Sequence, residues 1–397
     1  MAGAAADALS DRVRRHAGRS GWNPAIVFDC SFANGLSAIR ALARIGVPVI
    51  AVDSSPQALG LRSRLALPIV APHPDRDPDG FLEALDAICA GLDRSAVAFP
   101  THDEHLLAVT RAARPQLLLP FGPARLIEQV QAKRFQYEAA ARAGVAVPVT
   151  AYPSSLDQAR RAAAGMPMPA VMKPSLGAGF KAVHRRPLIP ADTPEQLVDA
   201  YRLGADHEPM LQERIPGGDD CLWTVGSYIA RDGRPLGVFC GRKLLQIPAG
   251  VGTCRVGEAV WDEQAVDAAL RLLRQLGFHG ISQVEFKRDP RDGEFKLMEV
   301  NARLWQWHGL AASCGVDLVG LAYADALGLS PRPGAQTAAR RRWVSIAGHL
   351  RESRREGRPL RELLAPLRPP FTEPVLSLRD PMPGVHQWYA LARELLR

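Results

Sequence analysis

The sequence predicts an α/β domain with a parallel sheet, followed by an α+β domain and a helical C-terminal extension. Strand-like apolar runs alternate with helical patterns over residues 24–125. Strand runs separated by turns dominate 126–330, and arginine-rich helical patterns occupy 331–397. A chain of 397 residues is also long enough to form more than one core.

The N-terminal domain opens with a strand, a helix and a second strand. Residues 24–30 (PAIVFDC) and the run VPVIAVD are apolar enough for buried strands, and a helical pattern lies between them. This order favours a parallel sheet with a right-handed crossover. Asp53 ends the second strand, where a dinucleotide-binding fold would hold a ribose. However, the first turn, DCSFANG, contains Gly35 and no GxGxxG pattern, so a nicotinamide or flavin site is poorly supported.

The first residues and the cysteines indicate the environment of the protein. Residues 1–23 contain no apolar stretch of the signal-peptide type, and we expect them to form a flexible leader. No apolar run approaches the roughly 20 residues that cross a bilayer, so no membrane partner is expected. The six cysteines have irregular spacing and form no CxxC pair. This spacing argues against a cysteine zinc site or a disulfide framework and favours the cytoplasm.

The net charge of +8 is concentrated at the C-terminal end, where 331–397 contain 13 arginines and no lysine against six acidic residues. A basic tail can bind nucleic acid. Here apolar residues also recur at helical spacing, which favours helices docked on the body with solvated arginine faces over binding of an anionic partner. No nucleic-acid partner is therefore expected. The two apolar stripes are Leu360, Leu363, Leu364 and Leu367, and Val385, Trp388, Tyr389, Ala392, Leu395 and Leu396.

Two glutamates lie on strand-like segments on either side of a turn in the stretch GISQVEFKRDPRDGEFKLMEVNARLW. If the hairpin is symmetric about Asp292, Glu285 faces Glu299 and Gln283 faces Asn301. Directly opposed Cβ atoms lie about 5 Å apart, and two like charges there are destabilising unless a cation lies between them. Carboxylate and amide oxygens suit Mg²⁺, so the hairpin predicts a magnesium–nucleotide site. Solvent-facing glutamates, or a register shifted by one or two residues, are the alternatives.

Lys173 interrupts an otherwise apolar strand, AVMKP. Because an unpaired lysine on a buried strand is costly, we interpret this residue as functional. The loop SLGAGFK follows it, and Gly177 and Gly179 would let backbone N–H groups approach anionic oxygens. A GxG loop alone is weak evidence, since most such loops are ordinary turns.

Six segments resemble, in order, the motifs of the ATP-grasp superfamily. They are AKRFQYEAAARAGVAVPVT, AVMKPSLGAGF, MLQERIPGGDD, GRKLLQIP, ISQVEFKRD and MEVNARLW. The chain looks most like the stand-alone carboxylate–amine ligases, and more distantly like D-alanine–D-alanine ligase, carbamoyl-phosphate synthase and biotin carboxylase. The N-terminal domain resembles the one that precedes ATP-grasp in these enzymes, and the tail phrase SLRDPMPGV resembles the end of stand-alone members. The resemblance implies a two-lobed ATP-grasp domain over 126–330.

The resemblance also implies a set of ATP-binding residues. Two lysines would contact the phosphates and a glycine loop would close over them. The QERI segment would receive the adenine, and an aspartate after it would hold the ribose. These residues are Lys133 and Lys173, Gly177 and Gly179, Gln212, Glu213 and Ile215, and Asp219 or Asp220. Lys133 taken alone could equally be an exposed helix lysine, and either aspartate could be a turn residue.

A second implied set carries the chemistry. The ligands of Mg²⁺ or Mn²⁺ would be Glu285, Glu299 and Asn301, which is the set that the hairpin register predicts. Arg303 would stabilise the transferring phosphoryl group or hold a substrate carboxylate. Arg242 and Lys243 would act likewise, or would belong to a solvated strand end.

The implied activity is ATP-dependent ligation of a carboxylate to an amine, or to a thiol, through an acylphosphate. Both substrates would be small molecules, and an amino acid or small peptide is expected for at least one of them. A homodimer is left open. The alternatives are another ATP-grasp chemistry, such as carboxylation or a kinase reaction, and a non-catalytic protein that responds to nucleotide.

The segment LWQWHGL departs from the relatives, which commonly carry a small residue soon after the first tryptophan. Trp305 and Trp307 either reshape the acceptor pocket or belong to the core. His308 is expected to be a hydrogen-bonding residue at a helix start rather than a catalytic base. The departure means that the substrate cannot be inherited from any relative.

Overall fold

Over its described residues, the computed structural model of the chain has three sheets with helices between and around them. A parallel sheet is followed by two sheets that are antiparallel for all but one strand pair, which confirms the predicted α/β plus α+β class. Among the described residues, no helix is both long enough and apolar enough to span a membrane. The described residues are 3–175, 180, 183–185, 188–250, 252–337 and 340–395.

The N-terminal domain is a parallel five-stranded sheet with helices on both faces. Its strands are β1 Ala25–Phe28, β2 Val49–Asp53, β3 Ala66–Val70, β4 Ala96–Pro100 and β5 Leu117–Leu118. Its helices are α1 Gly3–Ala17, α2 Ala33–Arg44, α3 Pro78–Ala90, α4 Asp103–Ala112 and α5 Ala124–Val130. The strand order is β3-β2-β1-β4-β5, so the direction of the connections reverses between β1 and β4. Such a reversal leaves a crevice beyond the carboxyl ends of these two strands.

The expectation of a flexible leader is wrong for residues 3–17, which form α1. Leu9, Val13 and Ala17 recur at helical spacing and are buried. Ser10 Oγ also donates to the carbonyl of Ala87 in α3 at 2.7 Å. The sequence shows a polar, arginine-rich segment, and only the neighbouring helix provides a surface for its narrow apolar stripe to pack on.

A small antiparallel sheet of order β6-β9-β7-β8 forms the first lobe of the second domain. Its elements are α6 Lys133–Arg142, β6 Thr150–Ala151, α7 Leu156–Ala164, β7 Ala170–Pro174, β8 Ile189–Ala191, α8 Pro194–Leu203 and β9 Pro209–Glu213. The helices α7 and α8 begin after Ser155 and Thr193, whose side chains accept hydrogen bonds from the first helical turn. Both helices cover the sheet with a small apolar core. The lobe presents Lys173 on β7 and Gln212 on β9 at its other face.

A seven-stranded sheet of order β14-β13-β10-β11-β12-β15-β16 forms the second lobe. Its strands are β10 Leu222–Ile229, β11 Pro235–Ile247, β12 Thr253–Ala259, β13 Gly280–Arg288, β14 Phe295–Asn301, β15 Arg342–Val344 and β16 Phe371–Thr372. The associated helices are α9 Glu263–Gln275, α10 Gly309–Ser313 and α11 Leu318–Ala326. Ala265, Ala269 and Leu272 of α9 are buried. Because β15 and β16 come from the last 60 or so residues, the C-terminal extension completes this sheet.

The C-terminal extension also contains α12 Ile346–Arg355, α13 Leu360–Leu364 and α14 Met382–Leu395. The predicted packing stripes are wrong in part. Val385 and Tyr389 are 58% and 63% exposed, Leu360 is 69% exposed, and Leu391 of α14 is buried. Apolar residues occupy several sides of α14, so spacing alone did not determine which side would meet the body.

Arg40 on α2 joins the N-terminal domain to the extension. Its guanidinium donates to Asp380 Oδ2 at 3.0 Å and to the carbonyl oxygens of Pro374 and Val375, both at 2.8 Å. The Asp380 carboxylate is fully buried and also accepts a hydrogen bond from Ser63 Oγ at 2.9 Å. The tail phrase SLRDPMPGV thus contains the buried acid that anchors the extension.

Replacing Asp380 with alanine should lower the free energy of unfolding by about 3–5 kcal/mol, because Arg40 would be left as an unpaired charge in the interface. Urea unfolding followed by circular dichroism measures this change. Glu362→Ala removes an exposed acid from the same extension and should change the free energy by less than about 0.5 kcal/mol. Equal effects of the two substitutions would contradict the anchoring role of Asp380.

Candidate active site

The hairpin of β13 and β14 has the register that the sequence predicted around the two glutamates. Glu285 pairs with Glu299 and Gln283 pairs with Asn301. Nearer the turn, the pairing shifts by one residue, so that Met298 is the extra residue of a bulge. Met298 consequently lines the cavity between the lobes. The two opposed carboxylates stay in register because the bulge lies on the turn side of them.

Each of these carboxylates has a lysine partner. Lys133 Nζ lies 2.8 Å from Glu299 Oε1, and Lys243 Nζ lies 2.8 Å from Glu285 Oε1. Burial alone would raise the pKa of Glu299, but the ammonium of Lys133, together with the charges of Arg303 and Lys173, lowers this pKa to about 2. Burial likewise lowers the pKa of Lys243, and the carboxylate of Glu285 more than compensates and raises it. The site therefore brings two carboxylates and an amide oxygen together, and this donor set suits Mg²⁺.

Asn301 and Arg303 extend the site toward the N-terminal domain. Asn301 Nδ2 donates to Gln283 Oε1 at 3.2 Å, and Arg303 Nη2 donates to Asn301 Oδ1 at 3.2 Å. Arg303 also makes a two-point ion pair with Asp103, at 2.9 and 3.0 Å. A small cavity of about 260 Å³ lies here and is lined by Lys133, Glu299, Asn301 and Asp103, among others. Arg303 is therefore aligned by a residue from another domain.

A larger cavity of about 770 Å³ lies between the two lobes. Its apolar lining includes Val171, Leu188, Ile215 and Met298. The predicted nucleotide residues that line it are Lys173, Gln212, Glu213, Ile215 and Asp219. An apolar cavity with a few polar groups is the usual form of a small-molecule site.

Lys173 reaches into this cavity with its ammonium on Gln212. Its Nζ donates to Gln212 Oε1 at 2.7 Å, and Gln212 Nε2 in turn donates to Thr150 Oγ1 at 2.9 Å. Burial, and then the nearby charge of Lys133, lowers the pKa of Lys173 to about 8. The ammonium has a neutral amide partner, so an anionic ligand would stabilise its charge.

The Glu213 carboxylate is fixed by hydrogen bonds, one of them from the turn of the β13–β14 hairpin. Val149 N donates to its Oε1 at 2.9 Å, and Arg291 Nη2 donates to its Oε2 at 2.9 Å. Lys296 Nζ lies 3.6 Å from the same carboxylate and 2.8 Å from Asp289. Burial raises the pKa of Glu213, but the hydrogen bonds from Val149 and Arg291 and the charges of Lys296 and Arg291 together lower it overall. These contacts fix Glu213 and the residues after it in the lining of the cavity.

Asp219 lines the cavity, whereas its neighbour Asp220 is exposed. The Asp219 carboxylate accepts hydrogen bonds from the backbone and side-chain nitrogens of Gln246, at 2.8 and 2.9 Å, and from Gly250 N at 2.9 Å. These bonds tie the end of β11 to the turn after β9. One lone pair of Oδ2 is left for a further donor.

Arg242 does not join the other predicted residues. It pairs with Glu258 on the neighbouring strand, where Nη2 and Oε2 lie 3.1 Å apart. Adjacent residues on a strand point to opposite faces, so Arg242 and Lys243 lie on opposite sides of the sheet. Gly177 and Gly179 lie outside the described residues.

The residues of LWQWHGL pack between the domains. Trp305 and Trp307 are 1% exposed and lie against Phe239 in the main core. A Cβ at Gly226 would come within 1.9 Å of the Trp305 ring, so the close approach of this ring requires glycine there. His308 Nε2 lies 3.0 Å from the carbonyl oxygen of Asn34, so it bonds to the N-terminal domain rather than capping its own helix.

Sequence reasoning missed two charged residues of the site. Asp103 aligns Arg303 from the start of α4, and Lys287 lines the larger cavity and donates to Gly217 O at 2.9 Å. Burial lowers the pKa of Lys287. Strand alternation already places Lys287 on the same face as Glu285, so the sequence could have indicated its role. No sequence pattern indicates Asp103, because its partner Arg303 is 200 residues away.

Comparisons with known proteins agree with this architecture. Residues 261–330 match the family model of the carbamoyl-phosphate synthase L chain, ATP binding domain. A D-aspartate ligase of Enterococcus faecium is 28% identical over 144 residues, which are 34% of each chain. The carbamoyl phosphate synthase large chain of Myxococcus xanthus is 27% identical over 326 residues, 77% of this chain and 28% of that one. The chain thus spans about a third of the length of these curated relatives.

A solved structure is similar over most of the fold. N5-carboxyaminoimidazole ribonucleotide synthetase in its ADP complex superposes with a TM-score of 0.66 at 18% identity, covering 85% of each chain. The sheets described above are therefore those of the ATP-grasp fold. The sequence matches and this fold together place the chain in the ATP-grasp superfamily.

A double-mutant cycle on Asp103 and Arg303 should give a coupling of about 1 kcal/mol in the free energy of unfolding. The two side chains are 37% and 19% exposed, and the pair is bidentate. The cycle uses the single and double alanine variants in urea unfolding. The matched control is Arg111 with Glu128, whose side chains are 62% and 42% exposed. Its coupling should be below about 0.5 kcal/mol, and a control value equal to the test value would contradict the proposed alignment.

Proposed function

We propose that the chain is an ATP-dependent carboxylate–amine ligase that works through an acylphosphate. The observation that carries the proposal is the pairing of Glu285 with Glu299, with Lys133 and Lys243 against them, beside the cavity between the lobes. Membership of the ATP-grasp superfamily makes ATP the expected nucleotide. The match to a D-aspartate ligase supports an amino acid as one substrate.

The cavity residues would hold the nucleotide in a defined orientation. The adenine would lie among Val171, Ile215 and Met298, since their apolar surfaces form the walls. Lys173 would leave Gln212 for a phosphate oxygen, because its hydrogen-bond partner in the free protein is a neutral amide. A phosphate oxygen there would form an ion pair with the Lys173 ammonium at a partly buried position, which is stronger than a hydrogen bond to a neutral amide.

The hairpin carboxylates would receive the metal. The ligands of Mg²⁺ or Mn²⁺ would be Glu285, Glu299 and Asn301. The bound ion would neutralise negative charge on the phosphates. Lys133 and Lys243 neutralise the two carboxylates in the free protein. On nucleotide binding they would turn to the phosphate oxygens, so that the net charge of the site stays nearly balanced.

The reaction needs positioning rather than a protein nucleophile. A carboxylate oxygen of the acid substrate attacks the γ-phosphorus, the bond to the β,γ-bridging oxygen breaks, and ADP leaves. The amine nitrogen then attacks the acyl carbon, phosphate departs with the bonding electrons, and the amine loses a proton. Arg303, aligned by Asp103, would stabilise charge on the transferring group or hold the substrate carboxylate.

Glu299→Gln should reduce ATP turnover by about 10³-fold, because a neutral amide binds the metal and balances Lys133 less well. The wild-type protein is first screened with pairs of acids and amines for phosphate release, and products are identified by mass. The variant is then assayed with the active pair. Glu294→Gln, an exposed residue in the turn of the same hairpin, should retain full activity.

Two results would contradict the proposal. Full activity of Glu299→Gln would overturn the metal assignment. Tight ATP binding without ADP release under any acid and amine pair would instead support a nucleotide-responsive binding protein.

The affinity for ATP should decrease above pH 8, at most about tenfold per pH unit, because Lys173 loses its proton there in the free protein. Calorimetric titrations at saturating Mg²⁺ between about pH 7.5 and 9.5 measure this profile. Lys173→Arg keeps its charge throughout this range and should give a flat profile. A flat profile in the wild type would show that Lys173 does not contact the phosphates.

A further inference from the structure

Four side chains meet in the crevice of the N-terminal sheet, outside the site described above. Asp29 follows β1, His73 follows β3, and His102 and His105 lie at the start of α4 after β4. The connections reverse direction between β1 and β4, which is the usual position of a ligand in an open α/β sheet. Asp29 also has a φ of +55°, a left-handed conformation that is uncommon for a residue other than glycine.

The polar atoms of this cluster are close together. Asp29 Oδ2 lies 3.1 Å from His102 Nδ1 and 3.6 Å from His105 Nδ1. One ligand atom from each of Asp29, His73 and His105 lies within 4.8 Å of the others. The rings of His73 and His105 meet edge to face, with centroids 5.0 Å apart. Donor atoms at these separations can surround a single ion after small side-chain movements.

His105 has a buried polar atom without a hydrogen-bond partner at the centre of the cluster. The residue is 2% exposed, and its Nδ1 is buried without a hydrogen-bond partner. A buried ring nitrogen that faces a carboxylate without a hydrogen bond is costly unless a cation lies between them.

We propose that Asp29, His73 and His105 bind one divalent transition-metal ion of the zinc class. Two imidazoles and a carboxylate are typical protein ligands of zinc, with a fourth position open to water or another ligand. His102 would support the site by donating from Nδ1 to the metal-binding carboxylate, as outer partners of metal sites commonly do. The cysteine spacing argues against a thiolate zinc site, but these ligands are of another kind and come from separate parts of the chain.

The nitrogen of His73 that would bind the metal is Nε2. Its Nδ1 accepts a hydrogen bond from Asp75 N at 3.2 Å. Metal binding at Nε2 requires the proton on Nδ1, so this bond must open. Residues 75–79 are exposed, and a small shift of the turn can accommodate the change.

The first turn of α4 connects this site to the ATP-grasp centre. His102 and His105 contact Asp29, and Asp103 between them holds Arg303. A metal ion that fixes this turn would therefore also fix the residue that aligns Arg303. The proposed ion is structural for the active site and takes no part in the ligase chemistry.

The test measures metal binding to the full chain without ATP, so its result does not depend on the ligase activity. Chelator-treated protein is titrated with Co²⁺, whose visible absorption reports four-coordinate geometry, and then with Zn²⁺ in competition. Native mass spectrometry gives the stoichiometry. The wild type should bind one ion per chain. Asp29→Asn, His73→Gln and His105→Gln should each weaken Zn²⁺ binding by about 100-fold or more, since each removes or weakens a ligand.

Two controls separate this site from other places where Zn²⁺ could bind. His386→Gln removes a histidine of α14, and Glu299→Gln removes a carboxylate of the hairpin site. Both should bind Zn²⁺ as the wild type does. A rise in melting temperature on adding Zn²⁺ to the wild type but not to Asp29→Asn would confirm the site in folded protein. Unchanged stoichiometry in Asp29→Asn and His73→Gln, or loss of binding in Glu299→Gln alone, would overturn the proposal.

Discussion

The candidate active site depends on the antiparallel pairing of two glutamates across β13 and β14. Two carboxylates at directly opposed positions repel each other, and a fold can keep them there only if positive charge is supplied nearby. The protein supplies it twice, with Lys133 from the start of α6 and Lys243 from β11. In the proposed reaction, phosphate oxygens would replace the carboxylates as partners of both lysines. In the free protein these charges are paired with one another.

The site is completed by the N-terminal domain, none of whose described residues lines the cavity between the lobes. Asp103 at the start of α4 holds Arg303 in a two-point ion pair, and the backbone of Asn34 meets His308. Trp305 and Trp307 fill the core beneath these contacts, where Gly226 leaves room for one ring. The N-terminal sheet is thus part of the framework of the active site. The cluster at its own crevice shares the start of α4 with Asp103, the partner of Arg303, which is why a metal ion there would have consequences beyond its domain.

Sequence reasoning succeeded where the evidence was local and periodic. Strand alternation and a turn of known composition predicted that Glu285 faces Glu299, and the ladder has that register. Apolar runs predicted the parallel strands of the first domain. The same reasoning failed for α1, whose narrow apolar stripe lies in a polar, arginine-rich segment, and for α14, whose apolar residues could meet the body on more than one side. It also could not place the bulge at Met298, since an extra residue in a strand leaves no periodic signal.

The sequence by itself determined the fold class, the hairpin register and the presence of charged residues on apolar strands. Only the tertiary structure decided which charges are partners: Lys133 with Glu299, Asp103 with Arg303, and Asp29 with the histidines after β3 and β4. The physical reason is the range of the interactions. Backbone pairing and side-chain alternation act between near neighbours in the chain, whereas ion pairs and metal-ligand sets form between residues that are close only after the sheets and helices have packed.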